Sequence, residues 1–181
     1  VRVPWLEPGI LMKTLDAGAY GVICPMVNTR EDAQKLVAWT HYQPRGTRSF
    51  GPVRALLYGG ADYPQHANDT IVAFAMIETA QALDNLDAIL SVEGLDAIYI
   101  GPSDLSLALG CKPTFDDVDP PVAQAIDHIL ERAKAHGVCV VGLAHSHHLG
   151  RIGQWAEQCV EHGLVSIHFV NVLSRPIVAP A

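Results

Sequence analysis

The chain has 181 residues, 49% of them hydrophobic and 17% charged, with a formal net charge of −7; that is enough for one domain with a substantial core, and it excludes a disordered chain. Its 12 basic residues are scattered singly, so no cationic stripe exists to neutralise phosphates and nucleic acid is excluded as a partner. No apolar stretch approaches the roughly 18 to 20 residues of a membrane helix, and the four cysteines, Cys24, Cys111, Cys139 and Cys159, lack C-x-x-C spacing, which reads as reduced thiols in a cytoplasmic protein with no membrane and no targeting signal.

Along the chain, short apolar runs alternate with longer amphipathic stretches, a pattern that predicts strand-helix units and a parallel sheet covered on both faces. The predicted strands are 1–4, 20–25, 71–77, 95–100, 138–143 and 165–170, and the predicted helices 8–17, 29–41, 80–91, 122–136 and 149–162. Gly18, Gly94, Gly137 and Gly163 stand where helices end in a left-handed residue. The segment 43–68, with its glycines, prolines and aromatics, is too long for an idle connection and is expected to be a lid or an interface. These elements predict one α/β domain over 1–181. A closed (β/α)8 TIM barrel has eight strands, so a barrel here would be partial, with its first two βα units missing. The chain opens without methionine in what reads as a strand end, as a fragment or a processed chain would.

The candidate chemistry lies at the predicted strand ends. Glu78 closes the run Ala75-Met76-Ile77-Glu78, and a carboxylate at the carboxyl end of a parallel strand stands where α/β proteins build active sites; it also reads as a helix cap or a surface acid. Asp104 follows the next strand in Gly101-Pro102-Ser103-Asp104-Leu105. There the glycine admits a ligand close to the backbone and the following amides suit a carboxylate, although an ordinary turn capped by Ser103 or Asp104 has the same pattern. Two carboxylates at adjacent strand mouths would need a cation. With oxygen ligands alone, the fitting ion is Mg²⁺, or Mn²⁺ or Co²⁺, with positions left for water and a chelating 2-oxo acid.

Arg2, at the mouth of the first strand, is placed to donate to an oxygen that becomes negative as an enolate forms; a salt-bridge partner is its plainer reading. His145, His147 and His148 match no known zinc spacing and read as loop histidines. No G-x-S-x-G, Walker A or G-x-G-x-x-G motif occurs, and Lys13, Lys35, Lys112 and Lys134 fall outside the strands, which disfavours Schiff-base chemistry.

Six segments in order, Val1-Arg2-Val3-Pro4-Trp5, Leu15-Asp16-Ala17-Gly18-Ala19, Pro25-Met26-Val27, Pro44-Arg45-Gly46-Thr47-Arg48-Ser49-Phe50-Gly51, Ile77-Glu78-Thr79 and Gly101-Pro102-Ser103-Asp104-Leu105, resemble the HpcH/HpaI family of class II pyruvate aldolases. The resemblance runs from Val1 to about Gly110 and thins beyond. It implies a (β/α)8 barrel, usually a homo-oligomer (a hexamer or trimer of dimers), that reversibly cleaves 4-hydroxy-2-oxo acids to pyruvate and an aldehyde through a metal-bound enolate. By the same resemblance Glu78 and Asp104 match the metal ligands, Arg2 the arginine that steadies the enolate, and Asp16 the acid that supports a catalytic histidine. Gly101, Ser103 and Asp104 match the turn that holds the pyruvate carboxylate.

Three departures accompany the resemblance. The family's histidine base has no counterpart, and His41 and His66 are not assigned that role. Met76 stands where some members carry a substrate-contacting glutamine, and the proline-rich end 171–181 lacks the family's last helix. The alternatives are an acyl-CoA lyase of the malyl-CoA or citrate-lyase type, for which no basic CoA pocket is visible, and a non-catalytic barrel fragment.

Overall fold

A computed structural model describes residues 1–114 and 118–137. The predicted elements 138–143, 149–162 and 165–170, with Gly163, Cys139, Cys159, His145, His147, His148 and the proline-rich end, lie outside the described residues.

The described chain alternates helix and strand: α1 (Pro8–Asp16), β1 (Gly21–Cys24), α2 (Arg30–Thr40), α3 (Ala55–Gly59), α4 (Tyr63–Thr70), β2 (Val72–Ile77), α5 (Ala80–Asp84), α6 (Leu86–Leu90), β3 (Ala97–Ile100), α7 (Pro102–Ala108) and α8 (Pro120–His136). Local chemistry fixes the helix starts. Glu7 accepts from the amides of Gly9 and Ile10 at 2.8 Å ahead of Pro8, while Thr29 and Asp32 close a reciprocal capping box on α2. Gly18 follows α1 at φ 105° and Gly137 ends α8 at φ 74°, the left-handed turns that glycine adopts without a Cβ penalty.

Strands β1, β2 and β3 form a three-stranded sheet in chain order with both pairings parallel. Parallel neighbours need a crossover between them, and the helices between the strands supply it. The helix-side face carries Val22, Cys24, Ala73, Ala75, Ile77, Ile98 and Ile100, which pack with Leu11, Leu15, Leu36, Leu86, Ile89 and Ile129 from the helices into one core. Burying a side chain of this size stabilises the fold by about 1.5–3 kcal/mol. A smaller cluster, Phe74 and Ala97 with Ile23 and Val72, lies on the other face. The sheet is therefore apolar on both sides, as the unbroken strand sequences predict.

Several expectations change in detail. The predicted strand 1–4 is reduced to one parallel bridge, Arg2 to Ile23, extending the sheet beyond β1. Helix 80–91 is interrupted at Asn85, whose side chain donates to the Asn28 carbonyl at 3.0 Å; an amide side chain that bonds backbone competes with helical continuity. Gly94 is left-handed at φ 85°, yet it lies in the turn after α6 rather than at a helix end. Segment 43–68 contains α3 and most of α4, which runs on to Thr70; both were missed because their apolar residues follow no clear helical period. The described strands are one open parallel sheet, and the barrel expectation reaches beyond them. No described helix is long and apolar enough to cross a membrane; Cys24 is buried and Cys111 half-buried, both free thiols.

Candidate active site

Strand periodicity decides which side chains share a face. The register pairs Arg2 with Ile23, Ile23 with Phe74, and Phe74 with Ala97, which makes one row across the sheet. Two residues further along, Met76 pairs with Tyr99. Glu78 and Gly101 continue the same alternation just past the last pair, Ile77 with Ile100. Arg2, Met76, Tyr99, Glu78 and Gly101 thus share the face opposite the main core, with Glu78 and Gly101 at its carboxyl end and Arg2 two rows before them.

Glu78 is 1% exposed. Its Oε1 accepts the Met26 amide at 2.8 Å, and Met26 adopts φ 56°, a left-handed conformation unusual for a side chain of this kind and typical of functional turns. The neighbouring loops are tied together as well: Thr79 donates to the Asn28 side chain, and Thr79 also caps α5 through the Ala82 amide at 3.0 Å. These bonds leave the carboxylate little freedom to turn away. Its second oxygen, Oε2, is fully buried with no hydrogen-bond partner among the described residues. Gly101 explains how it fits there, since a Cβ at that residue would stand 2.5 Å from Oε2 and 3.1 Å from the Glu78 Cβ.

The electrostatics place the other candidates nearby. Burial pushes the Glu78 carboxyl above its ordinary range; the Met26 amide opposes this, the Asp104 charge adds to it, and the Arg2 charge opposes it. Asp104 is exposed in the first turn of α7, whose N-terminus at Gly101 has no side-chain cap. Ser103 donates to the Thr114 carbonyl at 3.5 Å. Arg2 forms no salt bridge among the described residues, so its charge remains available to the site.

Tyr99 is the residue that sequence reading passed over. It is half-buried, and its phenol is pushed up by burial, lowered by Arg2 and raised by Glu78. Its signal in the sequence was one polar-tipped residue in an apolar strand, which alone reads as packing.

Asp16 lies elsewhere. It ends α1, and its Oδ1 accepts from Arg48 Nη2 at 2.7 Å. The Arg48 side chain is completely buried, with its guanidinium 4.3 Å from the centre of the Tyr42 ring and a bond to the Tyr63 hydroxyl at 3.2 Å. His41 is buried with Nδ1 2.9 Å from the Val37 carbonyl, a structural setting, and His66 is on the surface helix α4.

Among the described residues no three His, Cys, Asp or Glu side chains gather as a closed metal cage. A buried carboxylate oxygen without a partner, whose ionisation a second carboxylate opposes, nevertheless suits one hard cation that completes its shell with water and ligand oxygens. The donor set therefore fits such an ion.

The HpcH/HpaI aldolase/citrate lyase family description matches residues 1–172. A hydroxypyruvate/pyruvate aldolase of Rhizorhabdus wittichii is 53% identical over 137 residues, 76% of this chain and 55% of that protein. A 5-keto-4-deoxy-D-glucarate aldolase of Escherichia coli is 45% identical over 139 residues, 76% of this chain and 54% of that one. A solved HpcH/HpaI aldolase/citrate lyase family protein of Burkholderia cenocepacia superposes with a TM-score of 0.74 at 30% identity, over 93% of this chain and 65% of that one. The chain spans about half the length of the curated relatives it matches.

Proposed function

The chain belongs to the HpcH/HpaI aldolase/citrate lyase family, and from that premise we propose that it carries the metal half of a class II aldolase site that cleaves 4-hydroxy-2-oxo acids reversibly to a pyruvate-type acid and an aldehyde. The observation that carries the reading is the Glu78 carboxylate, buried, held through Oε1 and unpartnered at Oε2. Under this reading the parallel sheet is an arc of a (β/α)8 barrel whose lumen is the face bearing Glu78.

Glu78 and Asp104 would hold Mg²⁺, or Mn²⁺ or Co²⁺. Such an ion, when bound, polarises the keto group and orients a chelating 2-oxo acid. The residues of the chain do the rest. Under this reading the turn at Gly101 and Ser103, at the uncapped start of α7, would offer its amides to the acid's carboxylate. As a base takes the proton of the 4-hydroxyl, that oxygen becomes the aldehyde carbonyl, the C3–C4 bond breaks and its electron pair moves toward the keto oxygen. Arg2 neutralises the charge arriving there, an interaction whose loss typically lowers turnover by about 10²–10³-fold. Asp16, held by Arg48, is the acid that would support a base, and none of the described histidines takes that part.

The same reading includes self-association as a hexamer or trimer of dimers. Its support is the exposed apolar run Phe50, Val53, Leu57 and Tyr58 in the segment 43–68.

The test measures pyruvate release from a panel of 4-hydroxy-2-oxo acids with and without Mg²⁺ or Mn²⁺, alongside Mn²⁺ affinity by calorimetry. Glu78→Gln and Asp104→Asn should each abolish metal-dependent turnover and weaken Mn²⁺ binding. Unchanged Mn²⁺ affinity in both variants would end the assignment of these carboxylates.

A further inference from the structure

The proposed site leaves one polar group on its face without a task. Tyr99 stands in the row between that of Arg2 and that of Glu78. The strand order sets Arg2 beyond β1, Glu78 at the end of β2 and Tyr99 on β3, so Arg2 and Tyr99 flank the Glu78 carboxylate on the same face, and a ligand held over that carboxylate lies between them, with neighbouring same-face rows about 6.6 Å apart. Among the described residues the phenol has no hydrogen-bond partner. An apolar ring would serve packing alone equally well, so the hydroxyl is free to meet a ligand.

We propose that Tyr99 is a catalytic residue of this site, its phenol donating a hydrogen bond, alongside Arg2, to the 2-oxo acid oxygen on which negative charge gathers during carbon-carbon cleavage. The inference rests on the metal-aldolase reading above. The phenol shares its proton and does not transfer it, so no further acid, base or oxidant is required. Burial raises the ionisation of Tyr99 above the ordinary phenol value, and Glu78 adds to this while Arg2 opposes it; the group therefore stays a protonated donor at neutral pH. Arg2 and Tyr99 would act on one oxygen from two sides, the arrangement of a two-donor oxyanion site.

The metal ligand Glu78 and the turn at Gly101 are untouched by a change at this position, which allows a clean test. The whole chain is loaded with Mn²⁺, and the binding of oxalate and of pyruvate is measured by calorimetry for wild type and Tyr99→Phe. Oxalate is planar and carries negative charge where the enolate would, whereas pyruvate has a neutral keto oxygen. In Tyr99→Phe, oxalate affinity should fall about 10- to 100-fold, as loss of a donor to a charged oxygen predicts, while pyruvate affinity changes much less. Mn²⁺ affinity and the melting midpoint should stay as in wild type, which separates a lost donor from a damaged site. Equal losses for the two ligands, or none, would overturn the role of Tyr99. A wild-type chain that binds Mn²⁺ without binding oxalate also overturns it and leaves the carboxylate ligands standing; a wild-type chain that binds neither removes the metal reading itself.

Discussion

The Glu78 carboxylate occupies the space where a side chain on residue 101 would begin: a Cβ there would lie 2.5 Å from Oε2. Gly101 has φ −98°, which any residue adopts, so its requirement for glycine is one of space alone. Gly101→Ala therefore isolates the steric effect. The variant should lose about 1–3 kcal/mol of stability through overpacking and bind Mn²⁺ at least tenfold more weakly, as the carboxylate is forced from its place. Urea unfolding and metal titration read the two effects, and an alanine variant equal to wild type in both would show that Glu78 has room to move.

Glu78→Gln should separate stability from function. A carboxyl whose pKa rises on folding holds its proton more tightly folded than unfolded. Its contribution favours the fold below the ordinary value of 4.5 and is lost as the pH climbs through the raised folded value. Glutamine keeps an oxygen for the Met26 amide and has no charge to bury, so above that raised value, where burial disfavours the charged carboxylate, Glu78→Gln should leave the metal-free protein more stable than wild type. Metal should raise the melting midpoint of wild type only. The same sign predicts that the Mn²⁺ affinity of wild type begins to fall at a pH above the ordinary carboxylate range. A less stable metal-free glutamine variant, or an affinity loss confined to lower pH, would count against a buried, unpaired acid.

Arg48 should be a structural keystone of the segment 43–68. Its side chain is fully buried, bonded to Asp16 at 2.7 Å and stacked over Tyr42, and lysine can reproduce neither the planar stack nor the two-directional bonding to Asp16 and Tyr63. Arg48→Lys is expected to cost about 1–3 kcal/mol, the scale of a lost charged hydrogen bond. A double-mutant cycle with Asp16→Asn, followed by urea unfolding, should reveal coupling between the two. A loss below about 0.5 kcal/mol, the level of ordinary surface substitutions, would show that the pair is incidental.

Much of the architecture was legible because its signals are local. Unbroken apolar runs over 20–25, 71–77 and 95–100 became β1, β2 and β3, since a strand covered on both faces needs apolar residues at every position. The predicted helix 29–41 became α2, and the capping box that starts it, Thr29 with Asp32, is likewise local, complete within four residues. The edges blurred where tertiary contacts intervened. Asn28 drew the Asn85 side chain out of what would have been one helix, and α3 and α4 formed in a stretch whose period was unreadable. The candidate carboxylates were legible by position alone, Glu78 at a strand end and Asp104 just past the next.

By itself the sequence determined the alternation of strand and helix, the helix caps, and which acids stand at strand mouths, all of which depend on spacings of a few residues. Only the tertiary structure decided that Met26 would turn left-handed to hold Glu78, fifty-two residues away, that Gly101 would make room for Oε2, that Asp16 would pair with Arg48, and that Tyr99 would share a face with Arg2 and Glu78. The physical reason is register. A strand of period two offers either face to its neighbours, and the pairing of separate strands chooses which side chains meet.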